Sequence, residues 1–387
     1  MTNFSNSYVI TNRLYPSNTL WDIEPLPGGT MWFYTAPAQY DSEPGDYEPV
    51  SATASTTPPP EFLQSLIKDL TSQGSSPQLT IVIHGLSTLF SDTINLLSQL
   101  GNGLQQYANY GGLVIAFDWP SYGEVESGID YASSPYTFPP PNTSGTIRDN
   151  INGSNAAFQN LLTMIAGLQA NIPGLQVNLI CHSEGNYMLM VGMYYLVQSG
   201  NTANLGQVLL IAADINNGAL QSVPADTLTG QAAAIPANAQ RVTVYYSEYD
   251  YVLSTSQDIF TDYHNPEYLG RLGLEGPISY QTGALPGNVV GLDCSAVVNE
   301  EQALKISFTM TPHMAYFYIP QVLQDMAATL TGVAAGQIPN RVNEGAEDGQ
   351  QYLMQLDTLQ APARAVRRLG VRAAVRASTP SAARPTP

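Results

Sequence analysis

The sequence predicts an α/β fold with a doubly wound, mostly parallel central sheet. Short runs rich in β-branched and other apolar residues recur along the middle of the chain, and helical patterns separate most of them. This alternation favours parallel strands, because a parallel neighbour is reached through a crossover connection. A capping-type pair, Thr146 and Asp149, opens one of the helical patterns. The predicted strands are residues 79–84, 113–118, 177–181, 207–213, 241–246 and 288–294.

The sequence divides into an arm, one large domain and a tail. Residues 1–60 are rich in Pro, Ser, Thr and Tyr and predict an arm with one or two edge strands, followed by a Pro-rich linker. Residues 61–340 carry the α/β pattern. Within them, residues 119–145 hold aromatic side chains and three successive prolines, which predict a lid-like insertion or, alternatively, a solvated loop. Residues 341–387 are rich in Ala, Arg and Pro and predict a disordered tail.

Composition limits the kinds of ligand that the protein can attract. Hydrophobic residues make up 44% of the 387 residues, which is enough for a sizeable core. The net charge is −18 and is uneven: residues 1–340 hold 6 basic and 27 acidic residues, whereas residues 341–387 hold 7 and 4. An acidic body repels polyanions, so the sequence argues against nucleic acid and favours a small neutral substrate.

No apolar stretch is long enough for a membrane span, and the N-terminus lacks the basic start and apolar core of a signal peptide. We therefore expect a cytoplasmic protein, with a non-standard export route left open. Cys181 and Cys294 are expected to be buried reduced thiols. No histidine pair or cysteine cluster has metal-ligand spacing, so neither a catalytic metal nor a cofactor is expected.

Ser183 is the predicted nucleophile. Residues 177–185 read V-N-L-I-C-H-S-E-G, so the serine lies between an apolar strand and a long apolar helical pattern. A tight turn at this place exposes the hydroxyl to a base. The usual pattern is G-x-S-x-G, and Cys181 replaces its first glycine. S-x-G also occurs at Ser72 and Ser121, but neither has this strand and helix context. The alternative is that Ser183 only caps a helix.

His313 is the predicted general base. In doubly wound hydrolases the triad occurs in the order serine, acid, histidine. Of the four histidines, His84 and His182 precede the serine, and His264 lies in a polar stretch. His313 follows the last predicted strand and an insertion, and it precedes an apolar helix near Pro320.

Two carboxylates could complete the triad. Asp250 follows the strand R-V-T-V-Y-Y, and Asp214 closes the strand before it. Either could hold the imidazole in the required tautomer.

Two backbone amides are predicted to hold an oxyanion. The run L-T-I-V-I-H-G at residues 79–85 is a buried strand that ends in His84 and Gly85. The loop after such a strand supplies one N–H group, and the residue after the nucleophile supplies the other. These donors are the amides of Leu86 and Glu184, and His84 is expected to orient the loop.

Residues 77–330 resemble the α/β-hydrolase superfamily, and in detail a bacterial branch of it. The resemblance implies the fold and a serine hydrolase reaction, with Ser183, Asp250 and His313 at the positions that match the triad; on this ground Asp250 is favoured over Asp214. The matching motifs are H-G at 84–85, F-D-W-P-S at 117–121, H-S-E-G-N at 182–186, A-A-D-I at 212–215, Y-S-E-Y-D-Y-V-L-S at 246–254 and L-G-R-L-G at 269–273.

The sequence thus predicts a serine hydrolase that cleaves carboxylic esters through an acyl-enzyme, without a cofactor. An amidase, a thioesterase or an acyltransferase with the same triad is the alternative within the class of enzymes. A hydrolase-fold protein that binds ligands without catalysis is the alternative outside it.

Overall fold

A computed structural model describes residues 6–14, 25–37, 47–86, 88–121, 147–221, 232–254, 269–274, 285–343 and 350–355. Its strands form one sheet in the order β10-β11-β9-β8-β7-β6-β4-β5-β1-β2-β3. The strands are β1 Asn6–Thr11, β2 Trp32–Pro37, β3 Glu48–Pro49, β4 Gln78–Ile83, β5 Leu113–Asp118, β6 Gln176–His182, β7 Leu205–Ile211, β8 Ala239–Tyr246, β9 Val289–Asp293, β10 Arg341–Asn343 and β11 Gln350–Met354. Strands β4 to β9 are mutually parallel and confirm the predicted fold class.

Helices alternate with the parallel strands. In the described part of the chain they are α1 Pro60–Ser72, α2 Phe90–Ala108, α3 Ile147–Asn171, α4 Gly185–Gln198, α5 Ala234–Ala237, α6 Leu269–Leu272, α7 Glu300–Ile306, α8 Pro312–Ala315 and α9 Pro320–Leu330. Short 3-10 helices lie at Pro27–Gly29 and Ala335–Gln337. No helix in this part of the chain is both long and apolar enough to span a membrane.

The apolar side chains of the central strands pack on both faces of the sheet. Ile81 and Leu179 belong to the core beneath α1, α3 and α4, whereas Val82 and Ile180 belong to the core beneath α2 and α9. Successive strand residues point to opposite faces, so a sheet covered on both sides requires nearly continuous apolar runs. Such continuous apolar runs make the central strands recognisable in the sequence.

The N-terminal arm contributes more to the sheet than the sequence predicted. We expected one or two edge strands, but the arm supplies three. β1 is not an edge strand, because it pairs in parallel with β5 on one side and antiparallel with β2 on the other. Its residues Tyr8, Val9 and Ile10 are fully buried.

The prediction of a disordered tail from residue 341 is wrong for its first part. β10 and β11 extend the sheet, and β11 pairs in parallel with β9. Tyr352 and Met354 are buried there. The Ala, Arg and Pro content of residues 341–387 hides the few apolar residues of this segment from an argument based on composition. In the folded chain the open edge of β9 provides hydrogen-bond partners for the backbone of β11. Residues 344–349 and 356–387 of the predicted tail, and residues 122–145 of the predicted lid, lie outside the described residues.

A buried ion pair ties β10 to the helix layer. Arg341 donates from Nε and Nη2 to the two carboxylate oxygens of Asp325 on α9, at 2.7 and 2.6 Å. The Tyr245 hydroxyl donates to the same carboxylate at 2.7 Å. Both charged side chains are almost completely buried, at 0% and 3% exposure. Each charge therefore depends on the other for compensation.

We predict that Arg341→Met destabilises the fold by about 3–5 kcal/mol, because it leaves the Asp325 carboxylate buried without a counter-charge. The free energy of unfolding from urea denaturation measures this effect. Lys305→Met is the matched control: it removes the exposed pair with Glu301, and its effect should be small. Equal stability of the two variants would contradict the proposed importance of the Arg341 contact.

Candidate active site

Ser183 lies on a tight turn between β6 and α4. Its φ is 51°, in the left-handed region that non-glycine residues rarely adopt. The turn is fixed to the neighbouring strand, because the Ser183 N–H donates to the Ile211 carbonyl at 3.0 Å. The Asn186 side chain donates to the Ser183 carbonyl at 2.9 Å. This is the strand, turn and helix arrangement that the sequence predicted.

Two glycines allow the turn to lie against the end of β4. A Cβ atom at Gly85 would lie 2.7 Å from the Ser183 Cβ, and one at Gly185 would lie 2.6 Å from the Ile83 carbonyl oxygen. Real Cβ atoms do not make contacts this short, so both positions require glycine. The fully buried Cys181 thiol fits at the motif's first position.

His313 and Asp250 form a buried pair at the same edge of the sheet. His313 Nδ1 donates to Asp250 Oδ2 at 2.7 Å. Asp250 Oδ1 accepts the backbone N–H groups of Val252 and Leu253, which fixes the orientation of the carboxylate. Burial opposes a charge on the imidazole, but the Asp250 carboxylate and, more weakly, that of Asp214 outweigh burial and raise the pKa of His313.

Asp214 lies beside the predicted nucleophile, Ser183. Its backbone N–H donates to the Ser183 carbonyl at 3.3 Å, so the loop after β7 is joined to the nucleophile turn. Both carboxylates act on the charge of the His313 imidazole, but it is Asp250 that accepts the hydrogen bond from His313 Nδ1.

His182 is a residue of the site that the sequence argument set aside. Its Nε2 lies 3.0 Å from the His313 carbonyl oxygen, and its ring centroid lies 4.6 Å from that of His313. Burial, together with the nearby His313, holds the pKa of His182 well below its ordinary value of 6.5. A carbonyl only accepts hydrogen bonds, so the neutral ring donates through Nε2. The backbone of His313 is thus linked to the residue that precedes Ser183.

The two predicted amide donors flank the nucleophile turn. Glu184 follows Ser183 directly, and Leu86 follows Gly85, which touches the Ser183 side chain. His84 holds this loop, because its Nδ1 donates to the Gly85 carbonyl at 2.9 Å. The His84 ring also stacks on Trp119, with 5.7 Å between centroids and 4° between planes.

The other predictions concern cysteines and metal ions. Cys181 and Cys294 are buried free thiols, as the sequence predicted, and burial raises the pKa of both. Among the residues that the structure describes, no three His, Cys, Asp or Glu side chains are grouped as a metal site would require.

A parallel sheet with a serine turn after β6 and an acid and a histidine on later loops defines the class of α/β-hydrolases. Residues 60–314 match the family model described as "Alpha/beta hydrolase of unknown function (DUF900)". The chain belongs to this family. A comparison with curated proteins finds no match.

The chain is also similar to solved structures at low identity. An esterase from Pyrobaculum calidifontis has 13% identity over 66% of this chain and 76% of its own, with a TM-score of 0.35. Carboxyl esterase 2 from Tuber melanosporum has 9% identity over 78% and 83%, with a TM-score of 0.34. A putative cell surface hydrolase from Lactobacillus plantarum WCFS1 has 15% identity over 49% and 78%, with a TM-score of 0.26.

We predict that His313 titrates above 6.5 in an NMR pH titration and that Asp250→Asn lowers this pKa, because the substitution removes the charge that stabilises the imidazolium. His182 should titrate well below 6.5. Since the pKa is raised on folding, the pair stabilises the fold fully below the unfolded pKa, and this stabilisation is lost as the pH rises through the folded pKa. Asp69→Asn, at a buried carboxylate hydrogen-bonded to Tyr8, is the control. A wild-type His313 that titrates at or below 6.5 would contradict the assignment.

Proposed function

We propose that this protein is a serine hydrolase that cleaves small neutral carboxylic esters through an acyl-enzyme. The observation that carries the proposal is the buried His313–Asp250 pair beside the strained turn of Ser183. A serine hydroxyl is a weak nucleophile until a base removes its proton, and a buried carboxylate holds the base in the correct tautomer.

In the proposed reaction His313 Nε2 takes the proton of Ser183 Oγ while Oγ attacks the ester carbonyl carbon. The carbonyl oxygen becomes an oxyanion, which accepts hydrogen bonds from the amides of Leu86 and Glu184. His313 then returns the proton to the departing alcohol oxygen as the C–O bond breaks. A water molecule, deprotonated by His313, cleaves the acyl-enzyme and restores Ser183.

The charges around the site support a neutral substrate. Asp250 and Asp214 both act on His313, and residues 1–340 are strongly acidic. An anionic substrate would be repelled at long range and again at the site. A neutral ester has no such cost.

We predict that Ser183→Ala lowers turnover on simple esters by a factor on the order of 10⁶, because the variant lacks the nucleophile. Turnover is measured on a chain-length series of esters, and covalent labelling is measured with a fluorophosphonate probe. Ser72→Ala is the matched control, since Ser72 also occurs in S-x-G but lies at the end of α1. A wild-type protein that takes up no probe would favour a binding protein, and more than a tenth of the activity in Ser183→Ala would refute the assignment.

We predict that Asp250→Asn lowers turnover by about 10⁴, because the imidazole loses the partner that sets its tautomer. Asp214→Asn should cost far less, since Asp214 acts on His313 as a neighbouring charge and does not accept the hydrogen bond from Nδ1. The two variants are compared on one ester, with folding checked by circular dichroism. A large loss of turnover in Asp214→Asn alone would instead assign the role of triad acid to Asp214, on the loop after β7.

A further inference from the structure

An arginine from the N-terminal arm is buried behind the predicted oxyanion loop. Arg13 follows β1, is 1% exposed, and lies outside residues 60–314 that match the family. Its Nε and Nη2 donate to the two oxygens of Asp118 at 2.6 and 2.9 Å. Nη2 also donates to the Thr88 carbonyl at 2.7 Å. Arg13 thus links the arm to the segment after β4.

Asp118 is the centre of this cluster. It accepts hydrogen bonds from the hydroxyls of Thr11 and Thr93, both at 2.6 Å, and its Oδ1 lies 3.0 Å from His84 Nε2. Burial alone would raise the pKa of Asp118, but Arg13 and His84 outweigh burial and hold the pKa well below its usual range. The carboxylate is therefore a fixed anion that holds Arg13 and His84 in one arrangement.

The cluster acts on a single peptide group. The Gly85 carbonyl accepts from His84 Nδ1 at 2.9 Å and from the Thr88 hydroxyl at 3.0 Å. The peptide between Gly85 and Leu86 is planar and trans, so its N–H points opposite to its C=O. Fixing the carbonyl oxygen of Gly85 therefore fixes the direction of the Leu86 N–H. Arg13 contacts both residues that donate to the Gly85 carbonyl. It reaches His84 through the Asp118 carboxylate, and it donates directly to the backbone carbonyl of Thr88.

We infer that Arg13 is a positioning residue for the oxyanion hole. With Asp118 and His84 it turns the Gly85–Leu86 peptide so that the Leu86 N–H faces the substrate carbonyl oxygen at Ser183. The inference rests on the proposed function and deepens it, because it makes the N-terminal arm part of the catalytic apparatus.

A purely structural role for Arg13 leads to a different expectation. If the cluster only stabilised the fold, all its hydrogen bonds would matter for stability and none would matter specifically for the transition state. Tyr8 on the same strand provides the comparison: its buried hydroxyl donates to the Asp69 carboxylate of α1 at 2.7 Å. Tyr8→Phe therefore removes a buried hydrogen bond of the arm without changing a member of the Arg13 cluster.

The test uses Arg13→Lys, Thr88→Val and the control Tyr8→Phe in the full chain. Lysine keeps the charge but cannot bind Asp118 with two hydrogen bonds and also reach Thr88. Thr88→Val removes the second donor to the Gly85 carbonyl at a partly exposed position, so it tests the same point if Arg13→Lys fails to fold. The measurements are kcat, KM, the pH profile and the affinity of a trifluoromethyl ketone, whose bound oxyanion occupies the oxyanion hole.

In Arg13→Lys and Thr88→Val we expect kcat to fall by about 10- to 100-fold, because a misplaced donor stabilises the transition state poorly. The affinity of the ketone should fall by a similar factor, while KM and the acid limb of the pH profile stay unchanged. Tyr8→Phe should keep the wild-type kcat, KM and affinity for the ketone. If Arg13→Lys folds but matches Tyr8→Phe in these values, or if Thr88→Val matches it, the inference is overturned and the proposed function stands. A wild type that neither reacts with a fluorophosphonate nor hydrolyses esters would overturn both.

Discussion

The close contact between the Ser183 turn and the end of β4 is the constraint on which the rest of the site depends. β4 and β6 are parallel neighbours, with Ile83 opposite Cys181, so both chains leave the sheet side by side. A Cβ at Gly85 would meet the Ser183 side chain, and a Cβ at Gly185 would meet the backbone of Ile83 and His84. The proposed nucleophile and the loop proposed to hold the oxyanion are consequently in close contact, and their relative position is set by the sheet and not by mobile side chains.

The proposed general base is held at two points. Asp250 fixes the imidazole of His313, and His182 fixes its backbone carbonyl. Neither contact alone fixes the position of the imidazole ring, because α8 is only four residues long and needs tertiary contacts to stay in place. The His182 contact positions the backbone of His313 relative to Ser183, since Ser183 is the next residue in the chain.

Two buried ion pairs attach the N-terminal arm and β10 to the rest of the fold. Only 11% of residues are charged, yet Arg13–Asp118 and Arg341–Asp325 are both almost fully buried. Burial of a charge is costly unless it is paired and hydrogen-bonded, and here each carboxylate also accepts a hydroxyl donor. The arm and β10 are thus attached through contacts that tolerate little variation in geometry, and in the arm these contacts extend to the loop that is proposed to hold the oxyanion.

The sequence by itself determined the features that depend on residues close together in the chain. The six central strands were predictable because burial on both faces demands continuous apolar runs, and the turn at Ser183 because strand, turn and helix lie within residues 177–198. Only the tertiary structure decided the rest. Arg13 meets Asp118 across 105 positions, and His182 meets the His313 carbonyl across 131. Asp214 and Asp250 both follow parallel strands that end at the same edge, so only folded distances could show which carboxylate receives the hydrogen bond from His313. Such contacts depend on strand order, which periodicity and propensity do not encode.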